Sequence, residues 1–200
     1  MADLAQPVRA QARGAAPALP ALAVLSGLGF LVLLQLRALQ AAGGVFEYPL
    51  DDVYIHLAMA AQIAQGGYGV NAGEYSSAAS SILYPLLLTP FAGTELQRLL
   101  PLTWNALSVV LNGLLWGAIL ARAGFEAPRL RAPGLLLALA GPLALNFAGL
   151  AFLGMEHGLH VAATLAVLLG LVVFFQEGRI GWILAAGILL GPVLRFEGLA

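Results

Sequence analysis

Ser81-Ile82-Leu83-Tyr84-Pro85-Leu86-Leu87-Leu88-Thr89-Pro90-Phe91 is the stretch whose reading decides the fold. If it crosses a membrane, every later segment of the chain changes side. Its apolar part is short and holds Pro85 and Pro90. Proline removes a backbone donor and clashes with the preceding turn, and an apolar run of this length suits an interfacial or re-entrant helix better than a span. The stretch therefore reads as non-crossing.

The rest of the chain shows why lipid is its solvent. Of 200 residues, 60% are hydrophobic and 10% charged, against about 25% charged in a soluble domain. The mean hydropathy is +0.90. The net charge of −1 and the absence of a basic run give nucleic acid nothing to bind. All nine basic residues are arginine, and with the many Ala, Leu and Gly residues this composition suits a GC-rich bacterial coding sequence. There is no cysteine, which excludes disulfides and thiolate metal sites.

Charge-free intervals of about 20 residues mark spans. Residues 14–36, 99–121, 132–155 and 157–176 qualify, and 180–194 forms a shorter fifth that places Arg195 at a membrane boundary. Residues 14–36 follow Arg9 and Arg13 but exceed a secretory signal's apolar core, so they read as a retained anchor. With 81–91 outside the membrane, Arg9, Arg13, Arg122, Arg129, Arg131 and Arg179 share one side, and Asp51, Asp52, Glu74, Glu95, Glu156 and Glu197 share the other. The positive-inside rule makes the arginine side cytoplasmic. Trp116 and Trp182 suit its aromatic belt.

The expected fold is thus an all-α membrane protein of about five transmembrane helices. It has a cytoplasmic tail (1–17), a membrane module (18–200) and a long external first loop (42–98) containing amphipathic interfacial helices. The setting is a bacterial inner (plasma) membrane with the N-terminus cytoplasmic.

Within the external loop, Leu50-Asp51-Asp52-Val53-Tyr54-Ile55-His56 reads as a helix start, with Asp51 as cap and Asp52 complementing the dipole. The helix is expected to run to Gln65 and stop at Gly66-Gly67. Asp52 and His56 then share a face, while Val53, Leu57, Met59, Ala60 and Ile63 favour the membrane interface. The serines 76, 77, 80 and 81 either cap the next helix or bond a sugar or phosphate oxygen. Asp51-Asp52 has two readings: a helix cap, or a carboxylate that takes a proton from an acceptor hydroxyl or holds a divalent cation. Arg195 suits phosphate recognition, or else a surface pair with Glu197. His157 and His160, one turn apart, form with Glu156 a candidate metal set, beside the plainer reading of a polar helix end. Asn105 and Asn112 share a face of their span and are expected to bond between helices.

Taken together, Tyr48-Pro49-Leu50-Asp51-Asp52-Val53-Tyr54-Ile55-His56, Gly67-Tyr68-Gly69-Val70-Asn71-Ala72-Gly73-Glu74, Ser80-Ser81-Ile82-Leu83-Tyr84-Pro85-Leu86, Gly154-Met155-Glu156-His157 and Arg195-Phe196-Glu197-Gly198 form a series. Their order resembles the N-terminal half of the GT-C superfamily of polytopic glycosyltransferases, in particular protein O-mannosyltransferases and arabinofuranosyltransferases. Departures are His157 where threonine is usual, Phe196 where proline is usual, and a loosely matching serine-proline box. The resemblance implies an enzyme of the cell envelope that moves a sugar from a polyprenyl-phosphate donor to a glycan, lipid or protein hydroxyl. It implies Asp51 or Asp52 as base or metal ligand, Asp51 by its match to the leading aspartate. Beside the aspartates, His56, Glu74, Glu156, His157, Arg195 and Glu197, which the topology brings to the same side, are the candidate substrate-binding residues. No cofactor is required by it, a divalent cation (Mg or Mn) being the one that Asp51 and Asp52 would hold. Because such enzymes continue through further spans, the chain is expected to be a truncated portion. The competing classes are a transporter or flippase of a lipid-linked substrate and a non-catalytic membrane assembly subunit.

Overall fold

The computed structural model describes residues 18–199. Arg9, Arg13 and the tail 1–17 lie outside the described residues. The elements are helices α1 (Ala18–Ala41), α2 (Asp52–Ala64), α3 (Leu83–Leu87), α4 (Leu100–Arg122), α5 (Arg131–Ala144), α6 (Phe147–Phe152), α7 (His157–Glu177) and α8 (Trp182–Leu194), with single 3-10 turns at Gln97–Leu99 and Phe196–Leu199. No β-strand occurs among the described residues.

Four helical stretches are long and apolar enough to cross a membrane: Ala18–Ala41, Gln97–Arg122, Arg131–Phe152 and His157–Glu177. Trp182–Leu194 is apolar but shorter. This is the architecture of a multi-pass helical membrane protein. The 81–91 stretch holds only the five-residue helix α3, far too short to cross.

The long helices approach through glycine. A Cβ on Gly113 would stand 2.7 Å from the backbone nitrogen of Val24, and one on Gly117 would collide with the backbone of Pro20. These two positions let α1 lie directly on α4, the usual way of packing helices where lipid removes any hydrophobic drive between them. Gly170 and Gly187 do the same between α7 and α8. Leu19, Ala23, Leu120 and Ala138 fill one end of the bundle, and Leu31, Val109, Ala148 and Ala151 its middle.

Arg122 pairs with Glu177, and Gln176 donates to the Arg122 carbonyl at 3.1 Å, so α4 and α7 end side by side. Arg179 joins the same group through Glu177 at 2.5 Å. The starts of α4 and α7 and the end of α8 consequently meet at the opposite end of the bundle, where Asp52, Glu156 and Arg195 reside.

One expected span differs. Residues 132–155 read as continuous, but the helix breaks at Asn146, which adopts φ 55°, ψ 36°. Pro142 lacks the amide that would continue the ladder, and asparagine tolerates the left-handed region better than most residues. The span is therefore two pieces, α5 and α6, set at a joint.

Helix α2 is held against the bundle. Val53, Met59 and Ala60 are wholly buried. Val53 packs with Tyr48 and Met155, and Ala60 with Tyr84 and Leu88.

Candidate functional site

The site forms where α2, the 76–82 segment, the α6–α7 turn and the end of α8 converge. Tyr48 anchors the first of these. Its hydroxyl donates to the Arg98 carbonyl at 2.7 Å and accepts the Leu102 amide at 3.0 Å, tying the approach to α2 onto the start of α4. Burial pushes the Tyr48 phenol well above its ordinary range, so it stays a donor. Tyr54 in turn accepts the Tyr48 amide at 3.1 Å.

The α6–α7 turn is fixed by contact rather than capping. Gly154 has φ +77°, and a Cβ there would stand 2.6 Å from the Tyr48 ring. Tyr84 donates to the Gly154 carbonyl at 2.7 Å and accepts from Asn105 at 3.1 Å. Ser81 caps α3 by accepting the Tyr84 amide at 3.0 Å and reaches the Val193 carbonyl at 3.2 Å. These bonds deliver Glu156, fully buried, against His56 and Ser80.

Glu156 is the hub. Its Oε1 accepts Ser80 Oγ–H at 2.7 Å and Arg195 Nη1–H at 3.2 Å. Its Oε2 has no hydrogen bond and stands 3.5 Å from His56 Nε2. Arg195 also bonds His157 Nε2 at 2.7 Å. A guanidinium only donates, so that nitrogen accepts and the His157 proton sits on Nδ1. The other edge of Arg195 forks onto Glu197 at 2.7 and 3.2 Å. His56 is 2% exposed. Its burial lowers the imidazole below its ordinary range, against the upward pull of Glu156 and Asp52.

In front of Ser80 and His56 is a cleft of about 150 Å³ lined by Asp52, Ile55, His56, Ala78, Ser80 and Met155. The one-turn spacing of Asp52 and His56 puts both at its wall, as their shared face predicted.

The structure thus brings together Asp52, His56, Glu156, His157, Arg195 and Glu197. It leaves two expected residues apart. Asp51 is exposed, does not line the cleft, and makes no capping bond. Its φ of −70° and ψ of −28° are already helical, whereas capping requires an extended backbone to aim the side chain at the free amides. Glu74 accepts from Asn71 at 2.9 Å and belongs to its own exposed turn, closed by the Tyr68–Tyr75 bridge. Ser80 and Tyr84 are additions to the candidate site. Ser80 belongs to the serine run that left capping and substrate bonding open, and the cap proves to be its neighbour Ser81.

Among the described residues no three His, Asp or Glu side chains gather about a metal position. The set of Glu156, His157 and His160 instead has the Arg195 guanidinium within it. Asn105 and Asn112 bond between elements as expected, Asn112 donating to the Gly158 carbonyl at 3.1 Å.

No family model, no curated protein and no solved structure matches this chain.

Proposed function

We propose that this protein is a membrane glycosyltransferase of GT-C type, transferring a sugar from a polyprenyl-phosphate donor to an acceptor hydroxyl on the external face of a bacterial inner membrane. One observation carries the reading: Asp52 lines a cleft whose inner wall is backed by the buried Glu156 and its partner Arg195. A carboxylate buried at a membrane boundary is costly and marks a candidate for function. The five-span arrangement with a cytoplasmic N-terminus and an external 42–98 loop belongs to the same proposal, and the separation of Arg122 and Arg179 from Asp52 and Glu156 supports it.

In this reaction Asp52 accepts the proton of the acceptor hydroxyl. The oxygen attacks C1 of the donor sugar, and the bond from C1 to the phosphate oxygen breaks with its electron pair. The products are the glycosylated acceptor, protonated Asp52 and polyprenyl phosphate. The bidentate geometry with which Arg195 holds the exposed Glu197 carboxylate is also the geometry by which arginine holds phosphate. Asp52 takes the role of base in preference to Asp51 because it alone of the two lines the cleft.

Purified protein in proteoliposomes, supplied with polyprenyl-phosphate sugars and a hydroxyl acceptor, tests this. Wild-type protein is expected to transfer sugar and Asp52→Asn to lose about 10²–10⁴-fold. Undiminished transfer by Asp52→Asn would overturn the assignment.

The break at Asn146 favours a second reading, a transporter or flippase of a lipid-linked substrate, because discontinuous helices are common in such proteins. Passage of the lipid-linked sugar across the vesicle membrane, chemically unaltered, would select it.

A further inference from the structure

The two oxygens of Glu156 are used unequally. Oε1 is held by two donors, Ser80 and Arg195, which fix the carboxylate from two sides. Oε2 is buried, has no hydrogen bond, and stands 3.5 Å from His56 Nε2. A fixed anionic oxygen at that distance from one nitrogen of an imidazole favours, by its charge, the tautomer with the proton on that nitrogen. The opposite nitrogen, Nδ1, is buried without a partner. Few other groups compete for the ring. Tyr84 meets it edge-on at 5.3 Å between centroids, Asp52 lies one turn earlier on α2, and His157 lies beyond Glu156.

The ring also belongs to the wall of the cleft. Of the six lining residues, Asp52, His56 and Ser80 are polar, and none is a lysine or arginine. Such a wall offers a phosphate no cation, whereas Asp52 can accept an O–H and Ser80 and His56 can each exchange a hydrogen bond. A cavity of 150 Å³ is also the size of one six-membered ring.

We propose that the cleft binds a single uncharged, hydroxyl-bearing ring, that His56 contacts it beside Asp52, and that Glu156 is the positioning residue that fixes the His56 imidazole. This deepens the glycosyltransferase reading and rests on it for the identity of the reaction, but not for the binding. Anionic groups are assigned to the Arg195 side and excluded from the cleft.

The chain has only three histidines, so ring-¹⁵N-histidine protein carrying a non-histidine tag, in nanodiscs, gives three sets of signals that single substitutions assign. Methyl α-mannopyranoside and methyl α-arabinofuranoside serve as probes, with methyl glucuronide as the anionic control. His56 signals are expected to move on addition of a neutral glycoside, to stay still with the glucuronide, and to stay still with any probe in Asp52→Asn. Glu156→Gln is expected to change the His56 tautomer ratio in the unliganded protein. His56→Asn, with His56→Gln as a second variant should the first misfold, is expected to lower kcat/KM for transfer about 10²-fold. A His56 spectrum indifferent to every neutral glycoside overturns the binding claim, and an unchanged tautomer ratio in Glu156→Gln overturns the positioning role. If the wild type transfers no sugar while His56 still responds to glycosides, the reaction assignment falls and the binding site stands.

Discussion

Arg195 and Glu156, 39 residues apart in sequence, meet with Nη1 3.2 Å from Oε1, and the carboxylate is wholly buried while the guanidinium side chain keeps 19% of its exposure. The pair joins the start of α7 to the residue that ends α8. Its asymmetry governs what substitution does. Arg195→Ala strands a buried carboxylate, for which the cost is about 3–5 kcal/mol. Glu156→Gln leaves Arg195 its exposed partner Glu197 and should cost distinctly less. Thermal unfolding of the two variants in one detergent checks the order, and equal losses would contradict it.

The two adjacent aspartates should separate in a transfer assay. Asp52 lines the cleft and Asp51 does not. Asp52→Asn is expected to lose at least about 10²-fold in kcat, and Asp51→Asn less than about tenfold. The measurement is initial rate at saturating donor. A larger loss at Asp51 would return the role of base to the leading aspartate.

His56 should make stability depend on pH with a definite sign. Its folded-state pKa lies below the ordinary imidazole value of 6.5. The folded protein therefore resists protonation that the unfolded chain accepts. Its contribution is fully present above pH 6.5 and is lost as pH falls through the lower folded value. Asp52, Glu156, Tyr84 and His157 are the groups that face it. Melting temperature should thus decline below pH 6.5, and His56→Gln should flatten that part of the profile.

Glycines along α1 and α4 predict a contrast in packing. Gly113→Ala places a methyl group against the α1 backbone at Val24, where nothing flexible can yield. Overpacking of this kind costs about 1–3 kcal/mol. Gly29, with nothing within 4 Å of its added Cβ, should accept alanine without loss. Unfolding of both variants in the same detergent decides the matter.

The joint at Asn146 yields a backbone test. Asn146→Ala should cost about 1–2 kcal/mol because its φ of 55° lies in the left-handed region. Asn146→Gly should be nearly neutral, and equal stability of the two would show that the turn is not strained.

Much of the fold was legible because charge and length are one-dimensional signals. The spans fell between arginines and glutamates, and Pro85 and Pro90 marked the segment that does not cross. The Asn146 break was not legible: Ala132 to Met155 is an uninterrupted charge-free run, and neither Pro142 nor a single asparagine by itself ends a membrane helix. At the site, the i, i+4 spacing of Asp52 and His56 foretold their common face. Ser80 could not be singled out from its run, since its partner Glu156 lies 76 residues onward. Glu74 and Asp51 stand apart from the cleft for reasons that charge alone does not carry: Glu74 bonds Asn71 within its own turn, and Asp51 precedes by one residue the face that Asp52 and His56 share.

The reach of Glu156 has a consequence for biogenesis. Its serine and histidine neighbours precede it in the chain, whereas its cation follows 39 residues later. At ordinary synthesis rates the ribosome needs roughly 2–8 s to cover that interval. Throughout that interval a carboxylate that ends wholly buried has not yet met its cation, so the contact that neutralises it is among the last that this part of the chain can form.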